Sequence, residues 1–252
     1  MTSFTESRKD GPERANIGKA VSFFDIDKTL VRGFSILPFA EFLVDKDCFD
    51  PACLELMKED FEAYNNKKLN YEDFAITIVD HYSEGLKGIL QSDVILAGNK
   101  FLPIYESKLF EYSKKLVEIM RNHGETIVVS GSPLEAFLPL AKLLNIDKVY
   151  LLEAEVENGR YTGRTKINMA LYKEKIKIID RIKGEGFNRG ASFAFGDSIH
   201  DVPLLSSVTN GFVVGKDPEL LREAKKNNWT VVDDKDILRE VEKKIEQIKT
   251  SN

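Results

Sequence analysis

Short apolar segments alternate with longer amphipathic segments from residue 126 onwards, and this alternation constrains the fold more than any other feature. The apolar segments predict strands at residues 126–130, 149–152, 192–195, 212–214 and 230–232. The amphipathic segments predict helices at residues 134–144, 170–183, 218–226 and 236–249. Strands that alternate with helices are typical of a parallel sheet with helices on both faces. The sequence therefore predicts an α/β fold with a doubly wound parallel sheet.

One further strand is predicted much earlier, at residues 20–24, where the run Ala-Val-Ser-Phe-Phe is almost wholly apolar. Between this strand and the next, apolar residues three and four apart predict only helices, at residues 36–47, 51–65, 71–84, 92–98 and 105–122. Asp50, Asn70 and Ser92 are expected to cap three of these helices. Gly124 is expected to close the last one in the left-handed conformation.

The helical stretch divides the chain into a core and an insertion. We expect residues 32–104 to form a helical cap that is inserted into a core of residues 19–31 and 105–252. Residues 1–18 are polar and charged and lack the apolar segment of a signal peptide, so they predict a disordered leader. Asn158-Gly159 predicts a tight hairpin turn within the core.

The composition excludes several classes of protein. A net charge of −5 over 252 residues argues against a nucleic-acid partner and favours a small substrate. No apolar run approaches the roughly 20 residues that span a bilayer. The two cysteines, Cys48 and Cys53, lack the partners of a zinc site and are interpreted as free thiols. These features predict a soluble, cytoplasmic protein and leave its oligomeric state open.

Two carboxylates stand two residues apart directly after the first strand, in Asp25-Ile26-Asp27-Lys28-Thr29. If the extended conformation continues through them, both side chains point to one side of the chain. One could then attack phosphorus while the other handles a proton. Acidic residues after a strand are also ordinary turn formers, so the pair alone does not decide the function.

Polar motifs stand at the ends of two other predicted strands. Ser130-Gly131-Ser132 can bind an anionic oxygen through a hydroxyl and backbone N–H groups, or form a plain turn into a helix. Gly196-Asp197-Ser198-Ile199-His200-Asp201 offers hard oxygen ligands that suit Mg²⁺, or a capped turn, and we assign no chemistry to His200. Because ligands bind at the carboxyl ends of parallel strands, we expect these motifs to form one site.

A lysine in the segment Lys173-Glu174-Lys175-Ile176-Lys177 could add a cation beside a bound phosphate. Lysines that alternate with isoleucines are equally typical of the exposed face of an amphipathic helix. The segment therefore gains a functional interpretation only together with the other motifs.

Taken in order, these motifs resemble the four motifs of the haloacid dehalogenase superfamily: Asp25-Ile26-Asp27-Lys28-Thr29-Leu30, Ser130-Gly131, Lys175 and Gly196-Asp197-Ser198-Ile199-His200-Asp201. The helical insertion resembles the cap of that superfamily, and residues 158–164 resemble a stretch of its phosphoserine-phosphatase-like branch. The resemblance implies a Rossmann-like core, a cap that closes over the site and a phosphomonoester phosphatase.

The resemblance also implies a role for each motif. Asp25 would form an aspartyl-phosphate, and Asp27 would act as general acid and then as general base. Ser130 and the Gly131 N–H would hold phosphate oxygens. Lys175 would neutralise them, and it is preferred to Lys173 because its distance in sequence from the fourth motif matches the family better.

The implied cofactor is Mg²⁺. It would be held by the Asp25 carboxylate, the backbone carbonyl of Asp27 and the Asp197 carboxylate, with Asp201 assisting in the outer shell or through water. The metal would neutralise the attacking carboxylate and the phosphate together.

Position 34 bears on the substrate. Phosphoserine phosphatases carry a glutamate nine residues after the nucleophile, and here that residue is Phe34. The prediction is therefore a small organic phosphate ester other than phosphoserine, with histidinol phosphate, a phosphorylated polyol and a phospholipid head group all open. A phosphomutase or phosphotransferase that uses the same aspartyl-phosphate and a non-catalytic binding protein are the alternatives.

Overall fold

The computed structural model describes residues 2–3 and 18–250, and a mostly parallel β-sheet lies at its centre. The strands are β1 (Thr2–Ser3), β2 (Val21–Phe24), β3 (Glu125–Pro133), β4 (Lys148–Glu157), β5 (Arg160–Ile167), β6 (Phe193–Gly196), β7 (Asn210–Val214) and β8 (Thr230–Val232). Their order is β1-β4-β3-β2-β6-β7-β8, and β5 pairs with β4. Among the strands of the described residues, only β1 and β5 run antiparallel to a neighbour, and that neighbour is β4 in both cases. The predicted α/β fold with a parallel sheet is confirmed.

The α-helices of the described residues are α1 (Ile36–Val44), α2 (Pro51–Asn65), α3 (Tyr71–Gly85), α4 (Gln91–Glu106), α5 (Ser113–His123), α6 (Leu134–Leu144), α7 (Tyr172–Glu185), α8 (Val202–Leu205), α9 (Pro218–Asn227) and α10 (Ile237–Thr250). Helices α1 to α3 lie in the segment predicted to form the cap, and α4 begins there. Across residues 2–3 and 18–250, none of the helices has the length and apolar character needed to cross a bilayer.

Capping residues in the sequence correctly predicted where two of the helices begin. The side chain of Asp50 accepts a hydrogen bond from the Ala52 N–H, and that of Asn70 accepts one from the Asp73 N–H, so both predicted caps are confirmed. The expected cap at Ser92 is wrong, because α4 begins at Gln91. There the Gln91 N–H donates to the carbonyl of Gly159 in the β4–β5 turn, so a distant hairpin fixes where α4 starts.

Two predictions around α5 are also wrong. The helix expected at residues 105–122 begins only at Ser113, because the chain before it is anchored to the loop after β2: the Phe110 N–H donates to the Leu30 carbonyl over 3.1 Å. Gly124 has an extended conformation with φ −173° instead of the left-handed one. A Cβ at this position would collide with the Ala20 carbonyl, so close approach of the two chain segments requires glycine here.

The predicted leader falls mainly on residues 4–17, which lie outside the described residues. Thr2–Ser3 differs from that prediction, because these two residues pair antiparallel with Val149 and Lys148 of β4. On this edge β5 pairs with β4 only from Glu153 onwards, which leaves the first residues of β4 to a short segment.

Successive residues of the central strand contribute to opposite faces of the sheet. Phe24 belongs to a large apolar cluster that also contains buried residues of α1 to α6, whereas Phe23 belongs to a second cluster beneath α7, α8 and α9. The rings of Phe24 and Phe195 stack with their centroids 4.9 Å apart and join β2 to β6. The carboxyl end of β2 therefore lies at the centre of a sheet that is buried on both faces.

The helical insertion packs directly on the core. Helix α4 runs across the predicted boundary between residues 104 and 105. Its Gly98 lies so close to the Glu135 carbonyl at the start of α6 that a Cβ would overlap it. Contact with α6 thus fixes this side of the insertion relative to the sheet.

This contact predicts that a glycine-to-alanine substitution in α4 destabilises the protein, which is the opposite of the usual effect in a helix. Replacing glycine by alanine within a helix normally stabilises a protein by about 0.5–1 kcal/mol. We expect that gain for Gly184→Ala in α7, where nothing lies within 4 Å of the added Cβ. Gly98→Ala should instead lower the free energy of unfolding by about 1–3 kcal/mol, because α4 and α6 must move apart. Urea denaturation of both variants measures the difference, and equal stabilisation by the two would contradict the close packing.

Candidate active site

Asp25 follows β2 directly, and its position is set by the sheet. Its N–H donates to the carbonyl of Phe195 in β6 over 3.0 Å, so the backbone is still held by the neighbouring strand at this point. Its side chain is buried, and Oδ1 accepts a hydrogen bond from Lys175 Nζ at 3.2 Å. A carboxylate at the end of a central parallel strand lies where ligands of doubly wound sheets bind.

Lys175 projects from α7 into the same place. Only 3% of the residue is exposed, and Nζ donates to Asp25 and, at 2.7 Å, to Asp201 Oδ1. Burial alone would lower the pKa of Lys175, but the carboxylates of Asp201 and Asp25 outweigh it and raise this pKa. Lys173, the other lysine that the sequence allowed, is exposed. The structure therefore brings Lys175 to the aspartates and leaves Lys173 in solvent.

Asp201 organises the loop after β6. Its Oδ2 accepts hydrogen bonds from the N–H groups of Asp197 and Ser198 at 3.0 and 3.1 Å, and also from the Ser198 hydroxyl. Its other oxygen binds Lys175. The residue is only 1% exposed. Asp201 therefore holds the loop that presents Asp197.

Carboxylate oxygens of Asp25, Asp197 and Asp201 lie within 4.8 Å of one another. Burial raises the pKa of Asp25 to about 7, and Lys175 opposes this rise. Burial and the neighbouring Asp201 raise the pKa of Asp197 to about 9. Both shifts reflect the cost of concentrating negative charge in a buried place. Hard oxygen donors with excess negative charge are the donor set that fits Mg²⁺.

Asp27 lies in a different environment from Asp25. Its Oδ2 accepts hydrogen bonds from the backbone N–H and the hydroxyl of Ser35, and its Oδ1 accepts one from the Ser132 hydroxyl at 3.2 Å. Burial raises the pKa of Asp27 to about 6, and the hydrogen bonds from Ser35 and Ser132 limit the rise. These contacts fix the carboxylate through neutral donors, so it is held in place while it remains able to carry a proton.

Ser35 was not found by sequence analysis, and Ser132 entered it only as part of the Ser130-Gly131-Ser132 motif. The two hydroxyls lie 2.8 Å apart, although the residues are 97 positions apart in the sequence. The position of Ser132 in the Ser130-Gly131-Ser132 motif, at the end of a strand, could have pointed to a role in the site. Ser35 precedes α1 and belongs to no such motif, so there was no comparable indication for it in the sequence.

The remaining predicted residues line the same cavity, which has a volume of about 360 Å³ and lies between the sheet and helices α2 and α3. Ser130 and Gly131 line its wall, as Asp25 does. His200 lies there too, but its ring stacks on Tyr71 of α3 with the centroids 3.5 Å apart. Burial lowers the pKa of His200 to about 4, so the imidazole is a neutral contact between core and insertion.

Comparison with known proteins identifies the class to which this site belongs. The sequence profile of the haloacid dehalogenase-like hydrolase family matches residues 22–206. The chain belongs to this family, and the membership inferred from the four motifs is confirmed.

Within the family, the chain is 27% identical over 222 residues to a histidinol-phosphatase of Neisseria meningitidis serogroup C (strain 8013). This alignment covers 85% of this chain and 98% of the relative. A solved protein of unknown function from Bordetella pertussis Tohama I superposes with a TM-score of 0.71 at 23% identity, over 86% of this chain and 99% of that one. A phospho-aspartyl intermediate analogue of phosphoserine phosphatase superposes with a TM-score of 0.62 at 23% identity, over 90% and 99% of the two chains. The two solved structures share the fold, and the predicted enzyme class, a phosphatase of this family, is confirmed.

The buried lysine generates a stability prediction. Lys175→Met leaves three crowded carboxylates without their cation and should lower the free energy of unfolding by about 3–5 kcal/mol at neutral pH. Lys173→Met, two residues away on the exposed face of the same helix, should change it by less than about 0.5 kcal/mol. Denaturant unfolding with a metal chelator present measures both. A similar effect of the two variants would show that the ion pairs of Lys175 do not hold the site together.

Proposed function

We propose that the protein is a Mg²⁺-dependent phosphatase that hydrolyses a small organic phosphate monoester through an aspartyl-phosphate on Asp25. The observation that carries this proposal is the convergence of Asp25, Lys175, Asp197 and Asp201 at one end of a cavity, beside a separately held Asp27. The cavity is of a size that suits a small molecule.

In the first step, an Asp25 carboxylate oxygen attacks phosphorus and the bond to the ester oxygen breaks. Asp27 gives its proton to the departing alkoxide, so the alcohol leaves neutral. In the second step, Asp27 takes a proton from a water molecule, whose oxygen attacks phosphorus. The Asp25–phosphorus bond breaks, and inorganic phosphate and both carboxyl groups are restored.

The surrounding groups bind and orient the phosphoryl group. The Ser130 hydroxyl and the Gly131 N–H would hold its oxygens, and Lys175 would offset its negative charge. The carboxylates of Asp25 and Asp197 and the carbonyl of Asp27 are the groups that would hold Mg²⁺, with Asp201 supporting them through the loop after β6. When bound, the metal supplies positive charge that reduces repulsion between the carboxylates and the phosphate.

The same arrangement shields the site from bulk solvent. The insertion covers the carboxyl ends of β2 and β6, and the contact between Tyr71 and His200 closes one side of the cavity. Exclusion of water strengthens the electrostatic interactions around the phosphoryl group. The predictions of a cytoplasmic location and of no nucleic-acid partner remain predictions.

The nucleophile is tested by Asp25→Asn. Because an amide cannot form the aspartyl-phosphate, we expect phosphate release from an ester such as p-nitrophenyl phosphate in the presence of Mg²⁺ to fall by about 10³-fold or more. Asp180→Asn, an exposed change of the same chemistry, should retain full activity. Circular dichroism verifies that both variants fold. Near-full activity of Asp25→Asn would overturn the assignment, and consumption of the ester without free phosphate would favour a transferase or mutase.

The role of Asp27 is tested by measuring how the rate loss in Asp27→Asn depends on the leaving group of the ester. An alkoxide needs a proton as it departs, whereas p-nitrophenolate leaves readily without one. Asp27→Asn should therefore lower the rate of phosphoenzyme formation by about 10²–10⁴-fold for an alkyl phosphate and much less for p-nitrophenyl phosphate. Rapid acid quenching of a single turnover measures this step. An equal loss with both esters would assign Asp27 to the structure of the site instead of proton transfer.

A further inference from the structure

The cavity above the aspartates has two chemically different walls. The core contributes the charged groups of the proposed chemistry, whereas the insertion contributes the aromatic rings of Phe34, Phe61, Tyr64, Tyr71 and Phe74, together with aliphatic side chains of α1 and α3. A group attached to the phosphate of a bound ester would extend from the charged wall towards the aromatic one. The second wall therefore determines which alcohols fit.

The aromatic wall is continuous. The rings of Phe34 and Phe61 meet edge to face with centroids 5.3 Å apart, and Phe61 meets Phe74 in the same way at 5.0 Å. The ring of Tyr64 then stacks on Phe74 with centroids 4.5 Å apart. Each ring is supported by its neighbour, so the wall presents a fixed apolar surface with both ring faces and ring edges.

Among the described residues, the insertion contributes no charged side chain to this cavity. The charged groups outside the proposed catalytic set are Lys28, Lys216 and Asp217, which all belong to the core, and Lys28 and Asp217 already have partners. Lys28 Nζ lies over the Phe34 ring at 3.9 Å from its centroid, and the Asp217 carboxylate accepts a hydrogen bond from the Leu220 N–H at the start of α9. A carboxylate pressed against the aromatic wall would lose its water without gaining a partner there, which costs free energy. An ammonium would gain only the attraction of a ring face, about 0.5–2 kcal/mol, in exchange for its water.

We propose, building on the phosphatase function above, that the substrate is the phosphate monoester of an alcohol that ends in an uncharged, apolar group of about the size of an aromatic ring. The rings of the insertion bind that group by apolar contact and edge-to-face packing, while the core binds the phosphate. The volume of about 360 Å³ leaves room for a phosphate and one such group.

Two esters that share the same phosphate and the same two-carbon linker test this proposal directly. In 2-phenylethyl phosphate the far end is a phenyl ring, and in phosphoethanolamine it is an ammonium group. Both alcohols are poor leaving groups of the alkyl kind, so the comparison reports contact with the wall. We expect kcat/KM to be higher for 2-phenylethyl phosphate by about 10- to 100-fold.

The outcomes separate the proposal from the function on which it rests. Acetyl phosphate, an activated acyl phosphate with no group long enough to reach the aromatic wall, serves as the reference compound for phosphate release. If the enzyme releases phosphate from acetyl phosphate with Mg²⁺ but prefers phosphoethanolamine or phosphoserine to 2-phenylethyl phosphate, the apolar specificity is wrong and the phosphatase function stands. Absence of phosphate release from all three esters and from acetyl phosphate overturns both.

Variants of Phe61 test whether the aromatic wall causes the preference for 2-phenylethyl phosphate over phosphoethanolamine. Phe61→Ala should reduce the ratio of kcat/KM between 2-phenylethyl phosphate and phosphoethanolamine by about tenfold, mainly through KM, and Phe61→Leu should retain most of it. Phe42→Ala is the matched control, because Phe42 packs on Phe101 in the same insertion without lining the cavity. That variant should leave the ratio unchanged. A fall in the ratio for Phe42→Ala equal to that for Phe61→Ala would show a general loosening of the insertion and would contradict the proposal.

Discussion

The buried ammonium of Lys175 is the group on which the site depends. Two ionised carboxylates about 5 Å apart repel each other by roughly 3 kcal/mol in an environment of intermediate polarity. Asp25, Asp197 and Asp201 are all at least that close. Hydrogen bonds from one ammonium to Asp25 and Asp201 join α7 to the ends of β2 and β6. If all three carboxylates are ionised, two negative charges remain uncompensated, which matches one divalent cation.

Neighbouring aspartates acquire different properties from their surroundings. Asp25 faces Lys175 and the acidic cluster, whereas Asp27 faces the hydroxyls of Ser35 and Ser132. Burial raises the pKa of both carboxyl groups; an ion pair with Lys175 opposes the rise for Asp25, whereas hydrogen bonds from neutral donors limit it for Asp27. This division supports a nucleophile and a proton carrier that are only two residues apart in the sequence. It also explains why the pattern of two aspartates has meaning only in its folded context.

Much of the fold was predictable because its signals are local. The bounds predicted for α2, α6 and β8 agree with the structure, since apolar periodicity and capping residues act within one element. The convergence of the motifs followed from one topological rule, namely that the carboxyl ends of parallel strands share an edge. In the structure, burial distinguishes Lys175 from the exposed Lys173. Helical periodicity in the sequence alone could not distinguish the two lysines. The roles given to the site residues remain part of the proposed function.

Contacts between distant segments were not predictable. The start of α4 depends on the β4–β5 turn, the hydroxyl of Ser35 reaches Asp27 only after α1 has packed, and the stack of Tyr71 on His200 joins the insertion to the loop after β6. None of these pairs leaves a pattern in either segment alone. They are also the contacts that give the cavity its shape.

The continuous path of α4 affects how a protein of this kind can diverge. The insertion supplies the aromatic wall, but its last helix ends beyond the expected boundary and rests against α6 at Gly98. An exchange of the insertion between related proteins would bring in a helix whose contact surface was shaped by a different α6. New specificity is therefore more accessible through single substitutions on the aromatic wall than through recombination of whole segments.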